Sequence, residues 1–272
     1  MLGHILLVSL LSFKSVYSLV PASILIYPHL EALQNGVCSD FIEHCRLEIN
    51  SKGNFYAAIP GGSVLKMLSG LKAYTNAIDW SKVHIFYVNH KCLPPDDISS
   101  THVKAKSLFL NSLPDVNIYP LKTSKSNNLF SDAASIQASM YSQLIKNHVP
   151  CQNHLPVFDY MLLGVGKDGH IGSLYPGRSE ISVTDAWVVP VDKKSPHSIT
   201  LTLPVINNAK HIRIVMSGAD KAEAVVDGVL KQRPAAEFPV CGVEGSDVKW
   251  MVDEAGQLVR EKAECTIVES SL

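Results

Sequence analysis

The sequence has no long basic run and few aromatics: 24 Lys and Arg stand against 25 Asp and Glu, and aromatics make up 7% of 272 residues. Without a concentrated cationic surface there is no electrostatic footprint for nucleic acid, and small molecules are the expected partners. The six cysteines (Cys38, Cys45, Cys92, Cys151, Cys241 and Cys265) include no CxxC pair and no tight framework. In a chain of this length such scatter reads as free thiols. The nearest approach to a metal set, His84, His90 and Cys92, spreads over opposite ends of one predicted strand, so no metal is expected. Internal repeats and low-complexity linkers are also missing. With 46% hydrophobic residues the chain can bury a sizeable core. One domain over 21–258, followed by a tail at 259–272, is the simplest organisation.

Residues 1–20 stand apart as a leader. The apolar stretch from Ile5 to Leu11 is too short to span a bilayer as a helix, so no stable membrane insertion of the domain is expected. With small and polar residues by Ser18, the segment resembles a signal peptide that lacks the positive n-region. A hydrophobic extension or a first strand is the alternative. The compartment therefore stays open.

What the chain does contain is an alternation of short β-rich runs and longer helix-compatible stretches. Strands are predicted at 23–27, 55–59, 83–88, 160–163, 186–191, 199–203, 212–216 and 248–252. Helices are predicted at 30–49, 64–71, 101–110, 131–147 and 219–230. The run VHIFYV at 83–88 is apolar except for His84, which suits a strand buried on both faces. This alternation predicts an α/β fold: an open, mostly parallel, Rossmann-like sheet flanked by helices on both faces.

Four predicted strands end in polar, glycine-rich segments: Gly61-Gly62-Ser63, Asn89-His90-Lys91, Gly164 to His170, and Ser217-Gly218 with Lys221. Open α/β sheets bind ligands in the crevice beyond those ends. Gly61-Gly62-Ser63 at the mouth of a helix suits a phosphate, held by backbone donors and the Ser63 hydroxyl; a plain strand-to-helix turn is the alternative. Lys221 is either a solvated charge or a phosphate contact. Gly164-Val165-Gly166-Lys167-Asp168-Gly169 satisfies G-x-G-x-x-G, and Asp192 lies near the spacing of a ribose-binding acid. A dinucleotide site needs a full helix after the third glycine, and Pro176-Gly177 interrupts too soon. No nicotinamide cofactor is expected. The sharper feature is Asp168-Gly169-His170. A glycine turn can present N–H groups to an anion, and a carboxylate can fix the tautomer of a histidine acting as a base. Alone, the triplet suits a surface or capping histidine equally.

Several ordered motifs carry a resemblance. FDYMLLGVGKDGHIGSLYPG (158–177) resembles the signature of the 6-phosphogluconolactonases, relatives of the glucosamine-6-phosphate deaminases. DWSKVHIFYV (79–88), PPDD (94–97), ITLTLPVIN (199–207), SGADKAEAV (217–225) and VKWMVDEA (248–255) match in the same order. The deaminases carry an Asn-Gly-His turn followed by Phe-Asn-Glu-Pro. Here Asp168-Gly169-His170 precedes Ser173-Leu174-Tyr175-Pro176-Gly177, and the segment around Trp250 is also lactonase-like.

The resemblance implies a fold of sugar-phosphate isomerase type and hydrolysis of 6-phosphogluconolactone to 6-phosphogluconate, in the oxidative branch of the pentose phosphate pathway. It implies His170 as general base on water, Asp168 orienting it, and substrate or phosphate binding by Gly61, Gly62, Ser63, Asn89, Lys91, Gly169 and Lys221. No metal or organic cofactor is implied, and the family location would be cytoplasmic; the oligomeric state stays open. Two positions depart from the pattern. The family usually has Asp-Glu-Arg where this chain has Asn89-His90-Lys91; Lys91 keeps a charge but loses the planar fork of arginine. An arginine usually precedes ITLT where Ser198 stands, with His197 or His90 as candidates to compensate. A catalytically impaired sugar-phosphate-binding homologue and an amino-sugar-phosphate deaminase or isomerase are the alternatives. The missing acid at Asn89 argues against the latter.

Overall fold

The computed structural model describes residues 6–8, 23–121, 132–231, 233–259 and 261. The strands are β1 (Leu6–Val8), β2 (Ser23–Ile26), β3 (Phe55–Ile59), β4 (Val83–Tyr87), β5 (Asn89–Lys91), β6 (Asn117–Ile118), β7 (Cys151–Gln152), β8 (Leu155–Pro156), β9 (Tyr160–Gly164), β10 (Val188–Val191), β11 (Ser198–Leu201), β12 (His211–Met216) and β13 (Val248–Val252). The α-helices are α1 (Leu30–Lys52), α2 (Ser63–Met67), α3 (Thr101–Leu108), α4 (Asp132–His148), α5 (Leu203–Asn207) and α6 (Ala222–Val226).

The main sheet runs β1-β2-β13-β12-β9-β3-β4-β6. Every neighbouring pair from β2 to β6 is parallel, and only β1 runs antiparallel, against β2. The mostly parallel α/β sheet predicted from the alternation is therefore present. Its strands are apolar on both faces because both are covered. In β3, Phe55, Ala57 and Ile59 pack into one core with Leu33, Phe41 and Leu65, while Ala58 packs into the other with Ala138, Tyr141 and Ile145. On α1 the buried residues Leu33, Val37, Phe41 and Cys45 recur every four positions and form the stripe that meets the sheet.

The chain order places the crevice. From β3 the chain steps outward through β4 to β6; it returns beside β3 as β9, then steps the opposite way through β12 to β13. The direction reverses between β3 and β9, and the gap beyond their carboxyl ends is the topological switch point where such sheets bind ligands.

Three expectations change. The runs at 186–191 and 199–203 do not join the main sheet; β10, β11 and β5 form a separate antiparallel sheet. The loop between β10 and β11 covers only 192–197, too short for the crossover that parallel strands require. Asn89-His90-Lys91, expected as a loop, is strand β5 of this second sheet. The helix expected over 219–230 is split into a 3-10 turn, the short α6 and a π turn.

Of the leader 1–20, the structure describes only β1, and the tail beyond 261 lies outside the described residues. Cys38, Cys45, Cys92, Cys151 and Cys241 are free thiols. No helix among the described residues is long and apolar enough to cross a membrane.

Candidate active site

The segment after β9 forms a tight loop. Gly166 donates its N–H to the His170 carbonyl at 2.9 Å, Gly169 donates back to Gly166 O at 2.9 Å, and Val165 bridges to Ile171. No helix follows Gly169, because the chain returns on itself; this is the structural reason why the glycine pattern is not a dinucleotide fingerprint. Folding the loop this way sets Nδ1 of His170 2.5 Å from Oδ1 of Asp168. A Cβ at Gly166 would fall 2.1 Å from that Nδ1 and 2.6 Å from that Oδ1, so only glycine at 166 leaves room for the pair. The His170 side chain is 30% exposed and that of Asp168 47%. The ring is partly exposed and lies outside the buried core. Burial pushes the Asp168 carboxyl up, but its hydrogen bond and charge interaction with His170 outweigh this and hold it below the usual carboxylate value.

An ionised carboxylate only accepts, so Nδ1 donates to it, and in the neutral form of the ring Nε2 keeps the free lone pair. No described residue donates to it. The N–H groups of the turn are a correction to the sequence reading. Gly169 spends its N–H on Gly166 O, and that of His170 points to Asp168 Oδ1 at 3.3 Å. Neither is offered to an anion.

Gly61-Gly62-Ser63 lies at the carboxyl end of β3 and opens α2, with Gly62 and Ser63 exposed. Contact between α2 and β9 brings this turn against the His170 loop: a Cβ at Gly164 would meet Val64 at 2.9 Å, so the glycine lets α2 close onto the strand end. From the other side of β9, Lys221 extends its ammonium to the Val165 carbonyl at 3.4 Å, one residue from Gly166. Asp220 beside it pairs with Lys167 at 2.7 Å on the exposed rim. Gly61-Gly62-Ser63, His170 and Lys221 thus all follow strand ends on the same side of the parallel sheet, those of β3, β9 and β12.

The Asn89-His90-Lys91 segment divides. Asn89 donates from Nδ2 to Ser173 Oγ at 3.0 Å, and Ser198 Oγ donates to the same oxygen at 3.1 Å. The two positions that depart from the family pattern are therefore joined, as a neutral hydroxyl-amide chain beside the His170 loop. Lys91 is exposed and stands across from Ser198 in the β5–β11 pairing. His90 turns the other way. It is 3% exposed, its Nδ1 donates to the Lys91 carbonyl at 3.0 Å, and burial pushes its pKa down. A buried neutral ring cannot replace an arginine. His197 lies in the loop before β11, where its carbonyl accepts from the Cys92 N–H at 2.8 Å.

Residues that the sequence reading gave no role also reach the site. The Tyr175 ring packs on His170 with centroids 4.7 Å apart. Lys193 and Lys194, from the β10–β11 loop, hold their ammonium groups 4.1 and 5.0 Å from the centre of the Tyr175 ring. Asp192, which stood at the spacing of a ribose-binding acid, pairs instead with Arg178, whose guanidinium also holds Glu180 at 2.7 Å. The doubled lysine in a polar loop is visible in the sequence. That the loop folds onto Tyr175 is a long-range contact that no local pattern encodes.

A family model described as glucosamine-6-phosphate isomerases/6-phosphogluconolactonase matches residues 28–252. The chain is 32% identical over 224 residues to "Probable 6-phosphogluconolactonase 1" of Oryza sativa subsp. japonica, covering 77% of this chain and 75% of the rice protein. It is 33% identical over 219 residues to "6-phosphogluconolactonase 3, chloroplastic" of Arabidopsis thaliana, covering 75% of this chain and 64% of that protein. Among solved structures, 6-phosphogluconolactonase from Trypanosoma brucei matches with a TM-score of 0.75 at 25% identity, over 88% of this chain and 99% of that one.

Proposed function

From the premise that the chain belongs to the glucosamine-6-phosphate isomerase and 6-phosphogluconolactonase family, we propose that it hydrolyses 6-phosphogluconolactone to 6-phosphogluconate, with His170 as general base. The observation that carries this reading is the His170–Asp168 pair, 2.5 Å apart at the crevice, with Nε2 unpartnered among the described residues. Nε2 takes a proton from a water as its oxygen bonds to the lactone carbonyl carbon. The tetrahedral intermediate then expels the ring oxygen, the ring C–O bond breaks, and Nε2 returns the proton to that oxygen as it becomes a hydroxyl. Asp168 holds the ring tautomer and stabilises the imidazolium between the two transfers. Gly61-Gly62-Ser63 and Lys221, on either side of β9, bind the phosphorylated end, with Lys91 and Asn89 on the wall. A lactone is an activated ester, so this route calls for no metal or organic cofactor.

The test is lactone hydrolysis above the spontaneous rate. Removing a general base lowers kcat about 10²- to 10⁴-fold, and His170→Ala is expected in that range with an unchanged melting temperature. Equal rates for the two proteins would remove the assignment. The neutral Asn89-Ser173-Ser198 chain supports a second reading, a sugar-phosphate binder without turnover; 6-phosphogluconate binding with no hydrolysis would favour it. We further propose that the leader directs the chain to the secretory pathway or to an organelle, the latter supported by the chloroplastic name of the Arabidopsis relative. N-terminal sequencing of the mature protein tests that.

A further inference from the structure

We propose that Lys193 and Lys194 are substrate-binding residues that join Gly61-Gly62-Ser63 and Lys221 in holding the phosphate of the sugar lactone, in place of the arginine that the family usually carries where Ser198 stands. The inference rests on the lactonase reading above. Three observations support it. First, the two ammonium groups stand 4.1 and 5.0 Å from the centre of the Tyr175 ring, and that ring lies 4.7 Å from the imidazole of His170. The cations are therefore one aromatic ring away from the base. Second, neither lysine has a carboxylate partner among the described residues. The acid beside them, Asp192, is drawn off by Arg178, so their charge is left for a ligand. Third, Asn89 and Ser198 both terminate on Ser173 as a neutral chain and His90 is buried, so of the positions that depart from the family pattern only Lys91 keeps an exposed charge.

The spacing selects the group that is held. The attacking water sits at Nε2 of His170, and the carbonyl being attacked lies just beyond it. Lys193 and Lys194 are set off from that point by the Tyr175 ring, so they meet a substituent carried away from the reacting carbon. In a phosphorylated sugar lactone that substituent is the phosphate dianion. Tyr175 serves as a platform: its face attracts the ammonium groups and holds two flexible side chains beside the ring that packs on His170.

The experiment compares wild type, Lys193→Ala/Lys194→Ala and Lys193→Arg/Lys194→Arg on 6-phosphogluconolactone and on unphosphorylated gluconolactone. Both lysines are exposed, and thermal melts check that folding is unchanged. For the alanine pair, KM on the phosphorylated lactone should rise about tenfold to a hundredfold with kcat within about threefold, the signature of lost uniform binding. The same variant should treat the unphosphorylated lactone as wild type does, and raised salt should weaken the wild type more than the variant. The arginine pair should restore KM. Equal losses on both lactones, or none on either, would overturn the proposal. Titration of 6-phosphogluconate against gluconate separates the two readings. If the wild type binds the phosphate ester through these lysines but hydrolyses neither lactone, the lactonase reading fails and the lysine assignment stands.

Discussion

Two histidine–carboxylate pairs of nearly equal length stand at opposite ends of the same sheet. At the carboxyl end, His170 meets Asp168 at 2.5 Å; at the amino end, His211, the first residue of β12, meets Asp247 at 2.6 Å. Their surroundings differ. The guanidinium of Arg213 is fully buried beside the second pair, donating to Asp247 at 2.9 Å, to Asp40 at 2.8 Å and to Nε2 of His44 at 3.2 Å. His44, His211 and Asp247 bring three metal-ligating atoms within 4.8 Å of one another, an arrangement that alone would suit a cation. Arg213 already supplies that cation, and it occupies the Asp247 and His44 acceptors that a metal would need. Near His170 no described cation touches Asp168, and Nε2 is bare. A short imidazole–carboxylate contact is therefore not in itself a catalytic sign. The group that completes the charge balance decides whether it works as a base or as a brace.

The sharpest way to break this comparison is to remove both imidazoles separately. His170→Ala should lower kcat about 10²- to 10⁴-fold and leave the melting temperature near wild type. His211→Ala should do the reverse, with kcat close to wild type and a lower melting temperature. Parallel lactonase assays and thermal scans decide it, and comparable activity losses in both would erase the distinction. Next in size is Arg213→Ala. Removing one partner of a buried ion network costs about 3–5 kcal/mol, because Asp40 and Asp247 are left facing each other's charge without the guanidinium. Urea unfolding should show that loss, while kcat of the folded fraction stays within about twofold. A stability change below about 1 kcal/mol would mean that Arg213 does not brace the sheet.

The main sheet and its crevice were legible because they rest on local signals. Runs such as VHIFYV are apolar on both faces only where both faces are covered, and glycines cluster just past the ends of β3, β9 and β12. Asp168-Gly169-His170 was legible for the same reason, since both members of the pair and Gly166 lie within five consecutive residues. What the sequence hid depends on distant contacts. His211 and Asp247 are 36 positions apart and meet only because β12 and β13 are neighbours. The joining of Asn89 to Ser198 through Ser173 depends on the second sheet, which the strand pattern merged with the first. His90 looked like an available cation in the sequence; its burial comes from the alternation along β5, which turns it away from the side that Asn89 and Lys91 face.

The smallest effect expected concerns acid. Burial pushes the Asp247 carboxyl up, but hydrogen bonds from His211 and Arg213 and the guanidinium charge outweigh it and hold the group well below the usual carboxylate range. A carboxyl whose folded pKa is depressed stabilises the fold above its unfolded value, near 3.9 for aspartate, and that stabilisation is lost as pH falls toward the folded value. The stability gap between wild type and Asp247→Asn should therefore be largest near neutrality and shrink steadily below about pH 5. Asp168 is also held low, but its pair is far more open, with the carboxylate side chain 47% exposed. Solvent screens such a pair, so Asp168→Asn should change stability by less than about 1 kcal/mol at any pH, while on the proposed mechanism turnover should slow. Urea titrations of the three proteins at pH 7 and pH 3 check the sign. A gap for Asp247→Asn that widens in acid would mean that the guanidinium does not govern that carboxylate, and the contrast between the two ends of the sheet would lose its electrostatic basis.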